Sequence, residues 1–117
     1  MRIRQNRLTK ATISRRVTTK DSEGVPVVSY EPIGDLEAEV WYANSKMDAE
    51  RFGDKITEML HARIDGAYDI EITNKRNLYV VGAVSFSEGD LFTYKGLDYQ
   101  ITSIVPYPHL KLEAQRI

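Results

Sequence analysis

Alternation of apolar and polar side chains is the main signal in this chain, and it is clearest over residues 88–116. Residues 91–94 form a short apolar run, residues 95–96 are a Lys-Gly turn, and residues 97–104 alternate with period two. Two prolines end that alternation before it resumes at residues 110–116. Period-two alternation is typical of half-buried strands, and proline ends a ladder. The segment is therefore predicted to be an antiparallel meander of three short strands.

The first 41 residues predict a long hairpin followed by a further strand. Ala11–Thr19 alternates and is rich in β-branched side chains, which favour strands. Asp21–Gly24 has the composition of a turn, and Val25–Tyr30 returns as a second strand that Pro26 marks as an edge. Leu36–Trp41 is predicted to be the next strand, with its two glutamates facing outward.

The middle of the chain is less regular. Residues 43–53 predict a short helix, with Asn44 or Ser45 as its N-cap and Gly53 as its stop. Residues 55–64 fit both a strand and a helical face. Residues 68–84 predict a hairpin before the meander, with strands at 68–73 and 78–84 around a polar turn; the family resemblance given below implies that this hairpin is an insertion.

These elements predict a mainly β fold: a small antiparallel β-barrel or curved sheet with a long N-terminal hairpin and at most one short helix. In the meander, Tyr99 and Ile101 fall on one face and Ile104 on the other. The predicted core consists of Ile13, Val17, Val28, Leu36, Ala38, Val40, Leu91, Tyr99, Ile101, Ile104, Leu110 and Leu112.

Length and composition restrict the class of protein. A chain of 117 residues is expected to form one domain, over residues 1–117. It has no cysteine, which excludes disulfides and thiolate chemistry, and no apolar run of roughly 20 residues, so we expect no membrane association. A net charge of −1 argues against non-specific nucleic-acid binding.

Charge is distributed unevenly between neighbouring segments. Residues 1–20 carry only basic charged side chains, and residues 21–40 carry only acidic ones. This pattern fits two oppositely charged strands that pair within one sheet, and it also fits a surface that meets its complement on another subunit. We expect residues 1–9 to be a basic contact arm. The candidate inter-subunit contacts are Arg2, Arg4, Arg7, Lys20, Asp21 and Glu23.

Candidate catalytic chemistry is sparse in the sequence. His61 and Asp65 could hold a metal or act as a base, but an ordinary surface histidine is the favoured interpretation, because metal sites usually need three protein ligands. Glu88 and Asp90 could form a carboxylate pair, although such pairs usually share a solvated face. The sequence therefore predicts no catalytic, metal or cofactor site, and a protein that is not an enzyme.

The C-terminal meander resembles part of a known family. A Gly-Asp pair, a Tyr-Lys-Gly turn and a Tyr-x-Ile-x-x-Ile strand are similar to the C-terminal half of small head–tail joining proteins of tailed bacteriophages. The residues concerned are Gly89, Asp90, Gly96, Tyr99, Ile101 and Ile104. The N-terminal hairpin resembles that of the same family through Thr18, Thr19, Asp21, Gly24 and Tyr30.

The resemblance implies a structural protein of the virion or prophage. Such a protein forms a homo-oligomeric ring between portal and tail, contacts portal or adaptor and tail proteins, and lets double-stranded DNA pass. It would be assembled in the host bacterial cytoplasm, and we expect the free chain to be monomeric. A tail-completion protein and a small β-barrel nucleic-acid-binding module are the alternatives, and a small hydrolase has only scattered carboxylates in its favour.

The resemblance suggests one functional segment, and the residues themselves suggest another. The segment between the barrel strands would line the ring channel and act as a gate; its candidate residues are Asn44, Ser45, Lys46, Asp48, Glu50 and Arg51. The hairpin tip at residues 20–24 has no evident anchoring residue, so it is predicted to be mobile until it meets another subunit.

Overall fold

A computed structural model of the protein describes residues 5–117. The strands are β1 (Thr9–Lys20), β2 (Pro26–Tyr42), β3 (Met59–Ile64), β4 (Asp69–Thr73), β5 (Arg76–Val81), β6 (Val84–Phe86), β7 (Leu91–Tyr94), β8 (Leu97–Pro106) and β9 (Leu110–Arg116). One α-helix, α1, spans Lys46–Phe52, and 3₁₀ turns span Gln5–Arg7 and Gly53–Glu58.

Six of these strands close into an antiparallel barrel in the order β1-β2-β3-β9-β8-β7. The barrel closes where residues 12–14 of β1 pair with residues 91–93 of β7. The predicted meander is confirmed as β7, β8 and β9, with Lys95 and Gly96 both at positive φ in the turn. The mainly β prediction, with a long hairpin and one short helix, is therefore confirmed.

The hairpin differs from the prediction in its second arm. Residues 26–42 are one continuous strand rather than two, because β1 and β2 stay paired from Thr9 to Lys20 across a bulge. At the bulge, Ile33 has no partner on β1 and packs against the core instead. The next residue, Gly34, lies so close to β6 that a Cβ added to Gly34 would come within 2.8 Å of Val84 Cγ2. Glycine thus lets β6 pack onto the hairpin.

Most of the predicted core is buried inside the barrel, including Ile13, Ile101 and Leu112. Val28 is a correction: its side chain is 45% exposed, because its part of the hairpin extends beyond the barrel. Val17 and Val40 are only partly buried. Alternation predicts which face a residue occupies, but only the tertiary structure decides where another layer covers that face.

A second bulge corrects the predicted faces of β8. Ile101 pairs with Ala114 and Ser103 with Glu113, so Thr102 is the extra residue. Because one inserted residue reverses the alternation, Ile101 and Ile104 both point into the core, rather than to opposite faces.

The inserted segment forms a separate three-stranded sheet in the order β4-β5-β6. Asn74 and Lys75, both at positive φ, form the predicted turn, but the predicted strand 78–84 is interrupted by a second turn at Gly82-Ala83. Strands β5 and β6 contribute Tyr79 and Phe86 to the core cluster. All five residues of β4 are exposed.

The ambiguous segment 55–64 divides into two structures. Lys55–Glu58 lies in the 3₁₀ turn, and Met59–Ile64 is the strand β3 between β2 and β9. Across residues 5–117, the structure contains no helix long and apolar enough to cross a membrane.

Candidate functional site

A polar cluster lies beneath helix α1, the segment that the sequence analysis assigned to a channel gate. Asp48 Oδ1 is 2.9 Å from His61 Nε2, and Glu113 Oε2 is 3.7 Å from His61 Nδ1. Arg51 closes the cluster from outside by donating both terminal nitrogens to the Glu113 carboxylate, one of them at 2.7 Å. Asp48, His61 and Glu113 are all buried. We call these four residues the α1 cluster.

The local sequence places Asp48 in this cluster. Ser45 is the N-cap of α1: its hydroxyl accepts from the Asp48 N–H, and the Asp48 carboxylate accepts from the Ser45 N–H. This capping box confirms Ser45 as the cap. The same carboxylate therefore satisfies the start of the helix with one oxygen and contacts His61 with the other.

The electrostatics of Asp48 follow from these contacts. Burial raises the pKa of its carboxyl group, but hydrogen bonds from the His61 ring and from Ser45 outweigh burial. The pKa of Asp48 therefore lies below its ordinary value, and the carboxylate is the form that the fold stabilises.

The arrangement of the cluster is that of a structural anchor. Asp48, His61 and Glu113 lie in the order of an acid–base relay, but His61 Nδ1 makes no hydrogen bond among the described residues, and His61 is only 3% exposed. Trp41 stacks on its ring at a centroid distance of 5.4 Å, and the Phe52 ring lies 6.1 Å away. A cleft of about 230 Å³, which Asp48, Arg51 and His61 help to line, opens beside the cluster, but little of the imidazole is accessible from it.

The sequence-based expectations for His61 are thereby corrected. It is not a surface histidine, and its partners are Asp48 and Glu113 rather than Asp65. Among residues 5–117, no group of three or more His, Cys, Asp and Glu side chains is placed to hold a metal ion. No local spacing could have revealed the cluster, because His61 and Glu113 are brought together by the pairing of β3 with β9.

Asp90 of the Gly-Asp pair is a second buried carboxylate. It accepts from the backbone N–H groups of Arg16 and Ser87, which joins β1 to the loop before β7. The expectation that Glu88 and Asp90 share a solvated face is therefore wrong, since only Glu88 is exposed. Asp90 stabilises the point where the barrel closes.

The most prominent surface feature is the outer part of the β1–β2 hairpin. Residues 16–30, which we call the distal hairpin, lie beyond the pairing of β1 with β7 and of β2 with β3. Within residues 17–30 the two arms have only each other as ladder partners. The distal hairpin exposes three apolar side chains near its tip: Val25, Val27 and Val28.

The tip of the distal hairpin has an anchoring residue, contrary to the expectation from the sequence. Asp21 Oδ1 accepts from the N–H groups of Glu23 and Val25, both at 2.9 Å, and the Gly24 N–H donates to the Asp21 carbonyl. Gly24 adopts a positive φ of 81°. Asp21 thus supplies the anchor that sequence analysis had considered missing.

The other predicted contact residues do not form one surface. Arg2 and Arg4 lie outside the described residues. Arg7 lies 3.8 Å from Glu39 of β2, at the end of the hairpin opposite to the tip. Lys20, Asp21 and Glu23 are exposed at the tip.

A cleft of about 450 Å³ lies beside the α1 cluster. It is lined by Trp41, Arg63, Tyr107, Pro108, His109 and Lys111. Arg63 is held by Glu39 at 3.3 Å, and the Tyr107 carbonyl accepts a hydrogen bond from the Tyr68 hydroxyl at 2.6 Å. Aromatic surface and basic side chains therefore meet here, a combination that sequence analysis did not single out.

Comparison with known proteins yields a fold but no family. No protein-family model matches the chain, and no curated protein matches it. The solution structure of protein SF1141 from Shigella flexneri 2a is similar, with a TM-score of 0.53 and 17% sequence identity. The match covers 97% of this chain and 96% of that one. At this identity the likeness concerns the fold alone.

Proposed function

We propose that this chain is a head–tail joining protein of the tailed-bacteriophage type. It would form a ring between portal and tail, join the head to the tail, and help to retain packaged DNA. The sequence resemblance over residues 11–40 and 88–116 is the starting point. A small barrel with a long hairpin, and with a short helix between the second and third strands, supports the proposal because the resemblance implies these elements.

The distal hairpin is the observation that carries the proposal. It extends beyond the barrel and exposes Val25, Val27 and Val28, which are 51%, 43% and 45% accessible. Unpaired strand edges beside exposed apolar side chains invite pairing with another chain. A protein that works as one subunit of a ring has a use for such an extension, whereas an isolated monomer gains nothing from it.

The outer face of α1 is the proposed channel face. Lys46, Met47 and Glu50 are exposed, and Met47 is 72% accessible. Asp48 and Arg51 hold the opposite side of the helix against the barrel. A gate built on α1 would therefore narrow the channel as a fixed helix with mobile side chains, because an inward swing would break the α1 cluster.

Deleting the gene from its own phage or prophage tests the proposal. We expect heads that package DNA and then lose it, together with complete, unattached tails. Defective tails beside stable, filled heads would instead support a tail-completion protein. A normal yield of infectious particles would contradict both functions.

The distal hairpin can be tested separately from folding. Val27→Lys places a charge on the exposed apolar surface, and we expect normal stability but loss of the protein from assembled particles. Thr57→Lys is the matched control, because Thr57 is also exposed but lies in the 3₁₀ turn before β3. Incorporation of the Val27 variant at the level of the control would contradict a role for this surface in assembly.

The cleft supports nucleic-acid binding as a second candidate function. Trp41 and Tyr107 are exposed aromatic side chains, and Lys111 lies beside them. Bases stack on aromatic rings while basic groups contact phosphate. A salt-dependent shift of single-stranded DNA that Trp41→Ala abolishes would support this function, and no shift at low salt would exclude it.

A further inference from the structure

Among residues 5–117, no segment pairs with the outer edge of strand β4 in the inserted sheet. It pairs with β5 on one side only, and all five of its residues are exposed. Ile70 is 44% and Ile72 is 79% accessible, values unusual for isoleucine on a strand. Edge strands of stable monomers are normally protected by charged side chains, especially lysine, by proline or by a covering segment. Strand β4 contains neither lysine nor proline, and its charged side chains are the acidic Asp69 and Glu71.

The turn that joins β4 to β5 determines which backbone groups of β4 point outward. A two-residue turn at Asn74-Lys75 makes Thr73 and Arg76 the hydrogen-bonded closing pair. Because hydrogen-bonded and non-hydrogen-bonded pairs alternate, Ile70 and Ile72 direct their N–H and C=O groups away from β5. Within residues 5–117, these N–H and C=O groups form a row of hydrogen-bond donors and acceptors with no strand beside it.

Strand β1 has a similar edge on the distal hairpin, to which no other strand of the described part of the chain pairs. The Arg16 N–H points away from β2, since it donates to Asp90 of the barrel. By the same alternation, Thr18 and Lys20 direct their backbone groups to that side. The pairing of Lys20 with Pro26, which has no N–H, agrees with this assignment.

We propose that the free edge of β1 in one copy of the chain pairs in parallel with β4 of a second copy. The charges of the two edges are complementary: Arg16 and Lys20 share one face of β1, and Asp69 and Glu71 share one face of β4. This proposal rests on the ring assembly proposed above, and it adds which surfaces meet.

Alternation selects the parallel orientation. In an antiparallel ladder, residues with outward backbone groups lie opposite each other, so Lys20 would face Ile70 or Ile72. In a parallel ladder, a residue whose backbone groups point to the new partner lies opposite a residue whose backbone groups bond within its own sheet. Lys20 therefore faces an acidic residue of β4. Parallel pairing therefore joins the basic face to the acidic face and puts Thr19 beside an isoleucine.

The free length of β1 determines the register. The Arg16 N–H is already occupied by Asp90, so the new ladder begins at Thr18. Placing Thr18 opposite Asp69 sets Thr19 opposite Ile70 and Lys20 opposite Glu71. The ladder then uses the outward groups of both Ile70 and Ile72.

The pairing would also allow the proposed ring to close. The two edges are different surfaces of the same chain, so each copy offers one edge to each neighbour. Such heterologous contacts build rings when the rotation closes. Pairing of β4 with β4 would instead give a dimer, and it would bring Asp69 and Glu71 of both copies together.

Disulfide cross-linking tests the register, because the chain has no cysteine of its own. Neighbouring strands lie about 4.8 Å apart, within the Cα range that a disulfide spans. We expect the full-length double variant Thr19→Cys/Ile70→Cys to give a ladder of covalent oligomers on oxidation at high concentration. The absence of oligomers larger than a dimer would overturn the proposal.

Two controls separate this pairing from other contacts. Thr19→Cys/Ile72→Cys shifts the pair by two residues and should cross-link less; an equal yield would overturn the register. The single variant Ile70→Cys should remain monomeric on oxidation. Efficient dimerisation of that variant would show β4–β4 pairing and would also overturn the proposal.

Charge reversal supplies an independent readout. In the cysteine double variant, Glu71→Lys should abolish the covalent ladder and Lys20→Glu should restore it; failure to restore it would overturn the Lys20–Glu71 contact. Oligomers formed by a chain that is absent from phage particles would leave this pairing intact and contradict the head–tail function. Incorporation into particles without cross-linking would contradict this pairing and leave the head–tail function intact.

Discussion

Asp48 of α1 and His61 of β3 lie 2.9 Å apart, although 13 residues separate them along the chain. The contact fixes the one α-helix of residues 5–117 to the barrel wall, and Arg51 reinforces it from the solvent side through Glu113. A segment that looks polar and mobile in the sequence is thus tied to two strands. Any role of α1 in a channel has to be compatible with that attachment.

The Asp48 carboxylate should make the stability of the protein acid-sensitive. Its pKa is lowered in the folded state, so its contribution to the free energy of unfolding is complete above the unfolded pKa and is lost as the pH falls through the folded pKa. We expect the stability difference between wild type and Asp48→Asn to shrink between about pH 5 and pH 2. Urea denaturation across that pH range measures the difference.

The matched control for Asp48→Asn is Glu50→Gln, which removes an exposed carboxylate from the same helix. Subtracting its pH profile corrects for the loss of one negative charge. Identical profiles for the two variants would show that the buried contact with His61 has no part in acid sensitivity.

The extension of the hairpin beyond the barrel predicts a contrast between two apolar positions. Ile101 is 1% exposed and Val28 is 45% exposed. Ile101→Ala should lower the free energy of unfolding by about 2–5 kcal/mol through loss of buried surface and creation of a cavity. Val28→Ala should cost under about 1 kcal/mol, mainly through strand propensity. Equal losses in urea denaturation would contradict the separation of barrel and distal hairpin.

Asp21 should control the order of the hairpin tip. Asp21→Ala removes the acceptor for the Glu23 and Val25 amides, so both amides should exchange faster with solvent while global stability stays near wild type. Hydrogen exchange followed by NMR measures this. Ser22→Ala is the control at the neighbouring exposed position, and equal exchange rates in both variants would contradict the role of Asp21.

The channel hypothesis requires a variant that spares the α1 cluster. Replacing residues 46–51 with a Gly-Ser linker would leave His61 and Glu113 buried without their partners. Changing only Lys46, Met47 and Glu50 to serine should keep the barrel folded, because these side chains are exposed. We expect heads that bind this variant to lose DNA before tails join.

Retention of DNA in the filled heads measures this outcome. Normal retention and normal titre would show that α1 is not the gate, and would direct attention to the inserted sheet over residues 68–84. A triple serine variant that unfolds at a lower urea concentration than the wild type would show that the exposed face of α1 contributes to stability as well.

Local patterns in the sequence were enough to predict the mainly β class, most of the turns and the position of most strands. Period-two alternation marked β1 and β8, while Gly24 and the Lys95-Gly96 pair marked turns whose backbone has positive φ. Ser45 and Asp48, three residues apart, marked the start of α1. These signals are local: each depends on the conformation of a few consecutive residues, so composition and spacing are enough to reveal them.

Only the tertiary structure decided what those elements cover. Bulges at Ile33 and Thr102 shift the alternation of buried and exposed side chains by one residue. The order of apolar and polar residues in the sequence does not reveal where such a bulge occurs. Barrel closure left Val28 outside, and the pairing of β3 with β9 brought His61 to Glu113. Burial depends on contacts between distant segments, and for that reason the α1 cluster and the free edge of β4 could be found only in the folded chain.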